Sequence, residues 1–348
     1  MFSSSLRATL IALVASAVAV SAAPGLSVKV AGPEAVTGVD NLKVKTTITN
    51  TGDEILKILN EPHSPLSKLP AKTFKVTDAN GAAPAFTGIK VKYSPAAAIA
   101  AGKDAITTLA PGQSVEVEHD LSEAYNFSKS GEGVYSVEAN NLFYIVDPSN
   151  KAVPLYATTE AHHAKLTGKL AVVRAPQVKR ATFNGCSSTQ QSQLNTAASS
   201  AQSYASSAAS YLSSHTSSTP RFTTWFGTYT SSRHTTALNH FNNINSHSIS
   251  SYWFDCTCTD SGTYAYVYPD SFGEVYLCGA FWQAPNTGTD SKAGTLIHES
   301  SHFTVNGGTQ DYVYGQSGAK QLAISNPDEA VMNADNHEYF AENNPAQS

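Results

Sequence analysis

Cysteine is scarce and one-sided in this chain. There are four in 348 residues, Cys186, Cys256, Cys258 and Cys278, and none before position 186. The first half therefore holds no disulfide and no thiol that could block a metal site as a latency switch. Charge is thin as well, with Lys+Arg 22 against Asp+Glu 27 and a net charge of −5. A net acidic chain lacks the positive field that nucleic-acid binding requires. Long apolar runs are missing too. Thr9 through Val20 is largely apolar but short for a membrane span, and no other stretch could cross a bilayer.

That short run reads as part of a secretory signal peptide over residues 1–22. Arg7 supplies the positive region and Val20-Ser21-Ala22 the small residues of a cleavage site. The mature protein is then expected outside the cell, soluble and monomeric. Residues 23–181 read as a prosegment. Val28-Lys29-Val30, Leu42 to Ile48, Val115 to Glu118 and Tyr135 to Glu138 alternate with period two, separated by Gly, Pro and Asn turns. This predicts an all-β, sandwich-like unit. It ends at the dibasic pair Lys179-Arg180, so the mature chain is expected to begin at Ala181 or Thr182. Covering the cleft and assisting folding are the roles expected of it. Asn126-Phe127-Ser128 is a glycosylation sequon within the part to be removed.

Lysine nearly vanishes beyond that point. Of 17 lysines, 15 precede residue 182 and only Lys292 and Lys320 follow, where ordinary usage would give about ten. Charge divides the same way, at +3 before the boundary and −8 after it. An acidic domain attracts cationic substrates and suits a basic prosegment.

Residues 182–348 read as a mostly helical α+β domain with a short hairpin. A helix rich in Ala, Ser and Gln opens it, with Ala197, Ala198, Ala201, Tyr204, Ala205 and Ala208 as its buried stripe. A second helix is expected near Ser232–Ile244 and a third near Gln316–Ala323. Thr263–Tyr268 and Glu274–Cys278 form the expected hairpin, a natural edge for substrate to join as an added strand. In an oxidising compartment four cysteines imply two disulfides, and a Cys-x-Cys metal site is disfavoured. A bridge between Cys256 and Cys258 would be strained, which leaves two connectivities.

The chemistry concentrates in His298-Glu299-Ser300-Ser301-His302. Histidines four apart on a helix share one face and can hold one metal ion, with the intervening glutamate as general base for a water. A catalytic zinc needs a third protein ligand and an open position. The metzincin continuation is absent, since Val305 and Gly308 stand where Gly and His would be. Asp311, nine residues after His302, is the nearest carboxylate, and Gly307-Gly308 lets the chain turn back toward the helix.

His298-Glu299-x-x-His302 followed by Gly308-Thr309-x-Asp311-x-x-Tyr314-Gly315 resembles the deuterolysin, or aspzincin, family of zinc endopeptidases. From about Thr182 onward the chain is similar to the peptidyl-Lys subgroup of that family. The matching stretches include Asn184-Gly185-Cys186, Phe254 to Cys258, Leu277 to Trp282 and Asn333 to Phe340. The resemblance implies one Zn2+ on His298, His302 and Asp311, Glu299 as base, and Tyr314 as donor to the developing oxyanion. It implies that Asp335 and Glu338 bind the substrate lysine that follows the cleaved bond. It also favours the pairs Cys186–Cys256 and Cys258–Cys278. The other mature-domain histidines, His215, His234, His240, His247 and His337, show no ligand spacing. The function expected is cleavage on the amino side of lysine in protein substrates. The alternatives are a deuterolysin-like peptidase of broader preference, or a secreted binding protein with structural zinc.

Overall fold

The computed structural model describes residues 25–172 and 182–347. The expected signal peptide and the dibasic pair Lys179-Arg180 lie outside the described residues.

The N-terminal part is built largely from alternating strands. Lys43–Asn50 lies between Leu26–Ala31 and Ser114–Asp120, and a short parallel strand, Thr158–Glu160, closes the far side. Along Lys43–Asn50, Val44, Thr46, Ile48 and Asn50 are buried while Lys43 and Lys45 face out, as period two demands. A second sheet runs Ala35–Thr37, His162–Thr167, Gly133–Ala139, Phe74–Asp78. Both sheets feed one apolar core that includes Val28, Ile48, Val76, Phe127, Val137, Phe143 and Leu166. A third sheet joins Leu56–Leu59 to Leu142–Val146 and Ile106–Leu109. This part is not purely β, because Pro95–Ala101 forms a helix. Ser94 caps it by accepting from Ala97 N, and Pro95 sits at the first turn, where its missing N–H costs nothing.

The C-terminal part packs helices against a five-stranded sheet, giving an α+β chain. The helix Ser188–Ser214 opens with a capping box between Ser187 and Gln190. Its expected stripe is buried at Ala197, Ala198, Ala201, Ala205 and Ala208, with Tyr204 half-buried at the edge. Small side chains there admit the helix Lys292–His302, all eleven residues of which are buried. The second and third expected helices run Ser231–Ser246 and Gly315–Ser325. The acidic C-terminal stretch is the buried helix Ala334–Glu342, packed against Lys292–His302.

Thr263–Val267 and Glu274–Leu277 pair antiparallel, with Ala265 opposite Leu277 and Val267 opposite Val275. Strand order in this sheet is Phe183–Asn184, Trp253–Asp255, Glu274–Leu277, Thr263–Val267, Lys90–Tyr93. The last strand belongs to the N-terminal part. It joins the hairpin edge antiparallel, with Lys92 opposite Ala265 and Val91 opposite Tyr266. Two disulfides, Cys186–Cys256 and Cys258–Cys278, tie the sheet to the chain on either side. Among the described residues no helix is long and apolar enough to cross a membrane.

Candidate active site and metal centre

Ser291 starts the pentad helix by accepting from Gly294 N, while its own N and Oγ donate to Glu342 Oε1 at 2.9 and 2.8 Å. A Cβ on Gly294 would lie 2.1 Å from that same oxygen, so the contact between the two helices admits only glycine without displacing Glu342. The helix ends at His302 and the chain reverses through Asn306-Gly307-Gly308. Gly308 holds φ +59°, a left-handed conformation that suits glycine. The returning strand is stapled to the helix: Thr309 N donates to Ser301 O, and the hydroxyls of Ser301 and Thr309 lie 2.6 Å apart. The reversal thus presents Asp311 to the two histidines.

His298 Nε2 and His302 Nε2 each lie 3.2 Å from Asp311 Oδ1. All three atoms are buried without a hydrogen-bond partner. His302 Nδ1 is 2.9 Å from Thr309 O, a bond that only a protonated Nδ1 can donate. Its Nε2 lone pair then faces the carboxylate. His298 Nδ1 makes a 2.8 Å charge contact with Asp335 Oδ1, which likewise favours the proton on Nδ1. Burial lowers the His298 pKa, but Asp311, Asp335 and Glu338 outweigh it and raise it well above the ordinary value. Burial would raise the Asp311 carboxyl, yet His302 and His298 hold it well below the carboxylate range. Two imidazole lone pairs and one carboxylate converging on one point are a donor set suited to a divalent cation, and the residues therefore fit a metal.

Glu299 is fully buried, and neither of its carboxylate oxygens has a hydrogen-bond partner. Burial pushes its pKa up to about 8, with His298 opposing. A carboxylate held so dry is expensive and makes a strong base. Tyr314 is driven the same way by burial and by Asp311, so its hydroxyl remains protonated and able to donate. It donates to the carbonyl of Val91 at 2.8 Å.

Asp335 and Glu338 lie in the first turns of the last helix, and both side chains are buried. Between them sits the ammonium of Lys92, 2.5 Å from Glu338 Oε2 and 3.7 Å from Asp335 Oδ1. Asp290 adds a third carboxylate at 3.4 Å. The rings of Tyr264 and Tyr339 face the ammonium at 5.2 and 5.6 Å. Burial alone would lower the Lys92 pKa, but Asp335, Glu338 and Asp290 raise it well above the ordinary value, so the side chain is charged. One residue earlier, Val91 N donates to Asp311 Oδ2 at 3.1 Å.

The structure thus brings together His298, Glu299, His302, Asp311, Tyr314, Asp335 and Glu338, and the four cysteines form the two bridges that the resemblance favours. His337 and His240 pair with each other at 3.0 Å. Sequence reasoning missed Asp290, Tyr264 and Tyr339 in the pocket, because no spacing links them to the acidic pair. It also missed Asn333, whose Oδ1 accepts from Tyr312 N and Val313 N and so fixes the loop after Asp311. Lys92 had no local signal at all, being one lysine among many on an alternating strand.

Residues 211–342 match the sequence profile of the aspzincin family, described as "Lysine-specific metallo-endopeptidase". Over its full length the chain is 62% identical to a "Peptidyl-Lys metalloendopeptidase" of Grifola frondosa, with all of both chains aligned. It is 57% identical to a protein of the same description from Armillaria mellea, again covering both chains completely. An "Extracellular protease" of Aeromonas hydrophila is 36% identical over 99% of this chain and all of its own. With a buried triad that could hold a metal ion, a dry glutamate and full-length likeness to these peptidases, the chain belongs to the aspzincin family of metalloendopeptidases and is an enzyme that cuts peptide substrates with the aid of a metal ion.

Proposed function

We propose that this is a secreted, monomeric zinc endopeptidase that hydrolyses peptide bonds on the amino side of lysine. It is made with a signal peptide over 1–22, a sandwich-like prosegment over 23–181 and a catalytic domain over 182–348. The names of the fungal relatives support the lysine preference, and that of the bacterial relative supports secretion. One observation carries the reading: a lysine ammonium is buried between Asp335 and Glu338, one residue after a carbonyl that accepts from Tyr314.

His298, His302 and Asp311 hold the zinc in this reading. When bound, zinc supplies Lewis-acid polarisation of the scissile carbonyl and acidifies a water. Glu299 takes the proton of the attacking water and delivers it to the departing amine. Tyr314 keeps its proton and donates to the oxygen as negative charge develops there, an interaction that strengthens in the transition state. The edge Thr263–Val267 receives substrate backbone as an added strand, which sets the bond in register with Glu299. Asp335, Glu338 and Asp290 neutralise the lysine ammonium, and the two tyrosine faces close the pocket around it.

Digestion of a denatured protein with the processed enzyme, with and without chelator, tests this. Cuts immediately before lysine that vanish with chelator are expected. Chelator-sensitive cuts elsewhere would leave a metallopeptidase of broader preference, and cuts that survive chelation would overturn the metal mechanism.

A further inference from the structure

We propose that the Val91–Lys92 peptide bond is this enzyme's own first substrate, cut within the same molecule once metal is bound. The inference rests on the lysine preference proposed above and extends it to a particular bond of the chain.

The strand Lys90–Tyr93 does more than cover the cleft. It runs antiparallel to the sheet edge Thr263–Val267 and lies in register with it, the pairing shifting only between Thr263 and Ala265. Val91 is fully buried, and Lys92 and Tyr93 are each 2% exposed. Three contacts place Val91 and Lys92 against three parts of the machinery. The Val91 carbonyl accepts from Tyr314 Oη at 2.8 Å. The Val91 amide donates to Asp311 Oδ2 at 3.1 Å. The Lys92 ammonium reaches Glu338 at 2.5 Å. A bond with its carbonyl on the oxyanion donor and the next side chain in the cation pocket is bound as a substrate is bound, with the backbone continuing on both sides.

The register excludes its neighbour. Lys90 is two residues earlier and so on the same face of the strand, but its ammonium donates to Gln310 Oε1. Bringing Lys90 into the pocket would require a two-residue slide that breaks all three contacts at once. Among the described residues no other lysine of the N-terminal part makes an ion pair with Asp335 or Glu338.

The step balances as an ordinary hydrolysis. A water oxygen bonds to the Val91 carbonyl carbon, and the bond from that carbon to the Lys92 nitrogen breaks. Glu299 carries the water proton to that nitrogen, so the products are a Val91 carboxylate and a Lys92 amine. The nick does not release the prosegment by itself. Lys43–Asn50 stays paired with Ser114–Asp120, and Phe74–Asp78 with Gly133–Ala139, so strands from either side of the cut share one core. The two pieces separate only when that core unfolds, and the nick is visible only under denaturing conditions. Its effect is to cut the covalent link through the cleft, so that each half of the strand can leave the edge independently.

The test uses the full chain, purified as wild type and as Glu299→Gln, and incubated with Zn2+ at several protein concentrations. Denaturing electrophoresis and N-terminal sequencing should reveal a new chain beginning Lys92-Tyr93-Ser94 in the wild type, at a rate independent of concentration, and none in Glu299→Gln. A new terminus at Lys90 instead, or a rate that rises with concentration, would overturn the assignment. A lysine peptide added to the wild-type sample after the prosegment is removed separates self-cleavage at Lys92 from lysine preference in general. Cleavage of that peptide before lysine without a Lys92 terminus would defeat the inference and leave the lysine preference intact. Failure to cut the peptide before lysine would defeat the preference itself. A readout free of turnover completes the test. In the metal-free Glu299→Gln chain, adding Lys92→Ala should speed hydrogen exchange in Lys90–Tyr93 and Thr263–Val267 at least tenfold, and unchanged exchange would show that Lys92 does not anchor the strand.

Discussion

Asp335 Oδ1 stands 2.8 Å from His298 Nδ1 and 3.7 Å from the Lys92 ammonium. One carboxylate therefore serves two partners at once, orienting a candidate metal ligand and facing the Lys92 ammonium. Glu338 leans the other way, 2.5 Å from the ammonium and 3.5 Å from the same imidazole nitrogen. Asp335→Asn is expected to weaken metal binding by 10–100-fold, the usual cost of losing a carboxylate behind a ligating histidine. Glu338→Gln should leave metal affinity within a few-fold and lower kcat/KM for lysine substrates by roughly 100-fold, as loss of a buried charge partner does. Metal titration of both variants beside lysine-peptide kinetics checks the split. Equal losses in both assays for both variants would contradict it.

Glu299→Gln preserves shape and removes the proposed base. Cleavage should fall by about 10²–10⁴-fold while bound metal stays stoichiometric, because His298, His302 and Asp311 are untouched. Elemental analysis of the purified variant alongside peptide hydrolysis separates lost chemistry from lost metal.

Tyr314→Phe removes the donor now bonded to the Val91 carbonyl. If that bond tightens as charge develops, kcat should drop by about 10²-fold with KM little changed. A rise in KM alone would assign the hydroxyl to ground-state binding instead.

His240 and His337 form a buried pair whose stability should depend on pH. Burial lowers His240 to about 4 and His337 to about 3, against about 6.5 in an unfolded chain. Both folded values are depressed, so between pH 6.5 and 4 the unfolded chain binds more protons than the folded one. Their contribution is present above pH 6.5 and is lost as pH falls toward 4. The Tm of the Glu299→Gln chain should therefore decline across that window, and His240→Gln should flatten the decline. An identical slope in the variant would refute the assignment.

Lysine scarcity after residue 181 invites a test against autolysis. Lys292 is buried, with its ammonium on the carbonyls of Trp282 and Ala284, and Lys320 lies 5.1 Å over the Trp225 ring within a helix. Neither is offered on a free loop. Adding exposed lysines should shorten the active lifetime of the enzyme, while arginines at the same positions should not. Equal loss from both substitutions would point to charge rather than self-cleavage.

Much of the site was legible in the chain because its information is local. The spacing from His298 to His302 fixes a helix face, and Gly307-Gly308 allows the return that brings Asp311 to it. The hairpin edge and the alanine stripe follow from periods of two and 3.6. The chain alone therefore specifies the candidate ligand triad, the candidate base, the secondary elements and the acidic pair, each written within a few residues or one helical turn. That Asp290, Tyr264 and Tyr339 complete the pocket, and that Lys92, 246 positions before Glu338, fills it, emerges only once the chain is folded. Those contacts depend on how a strand of the N-terminal part meets the hairpin edge. Strand pairing joins backbones without regard to separation along the chain, so nothing near Lys92 marks it apart from its neighbours.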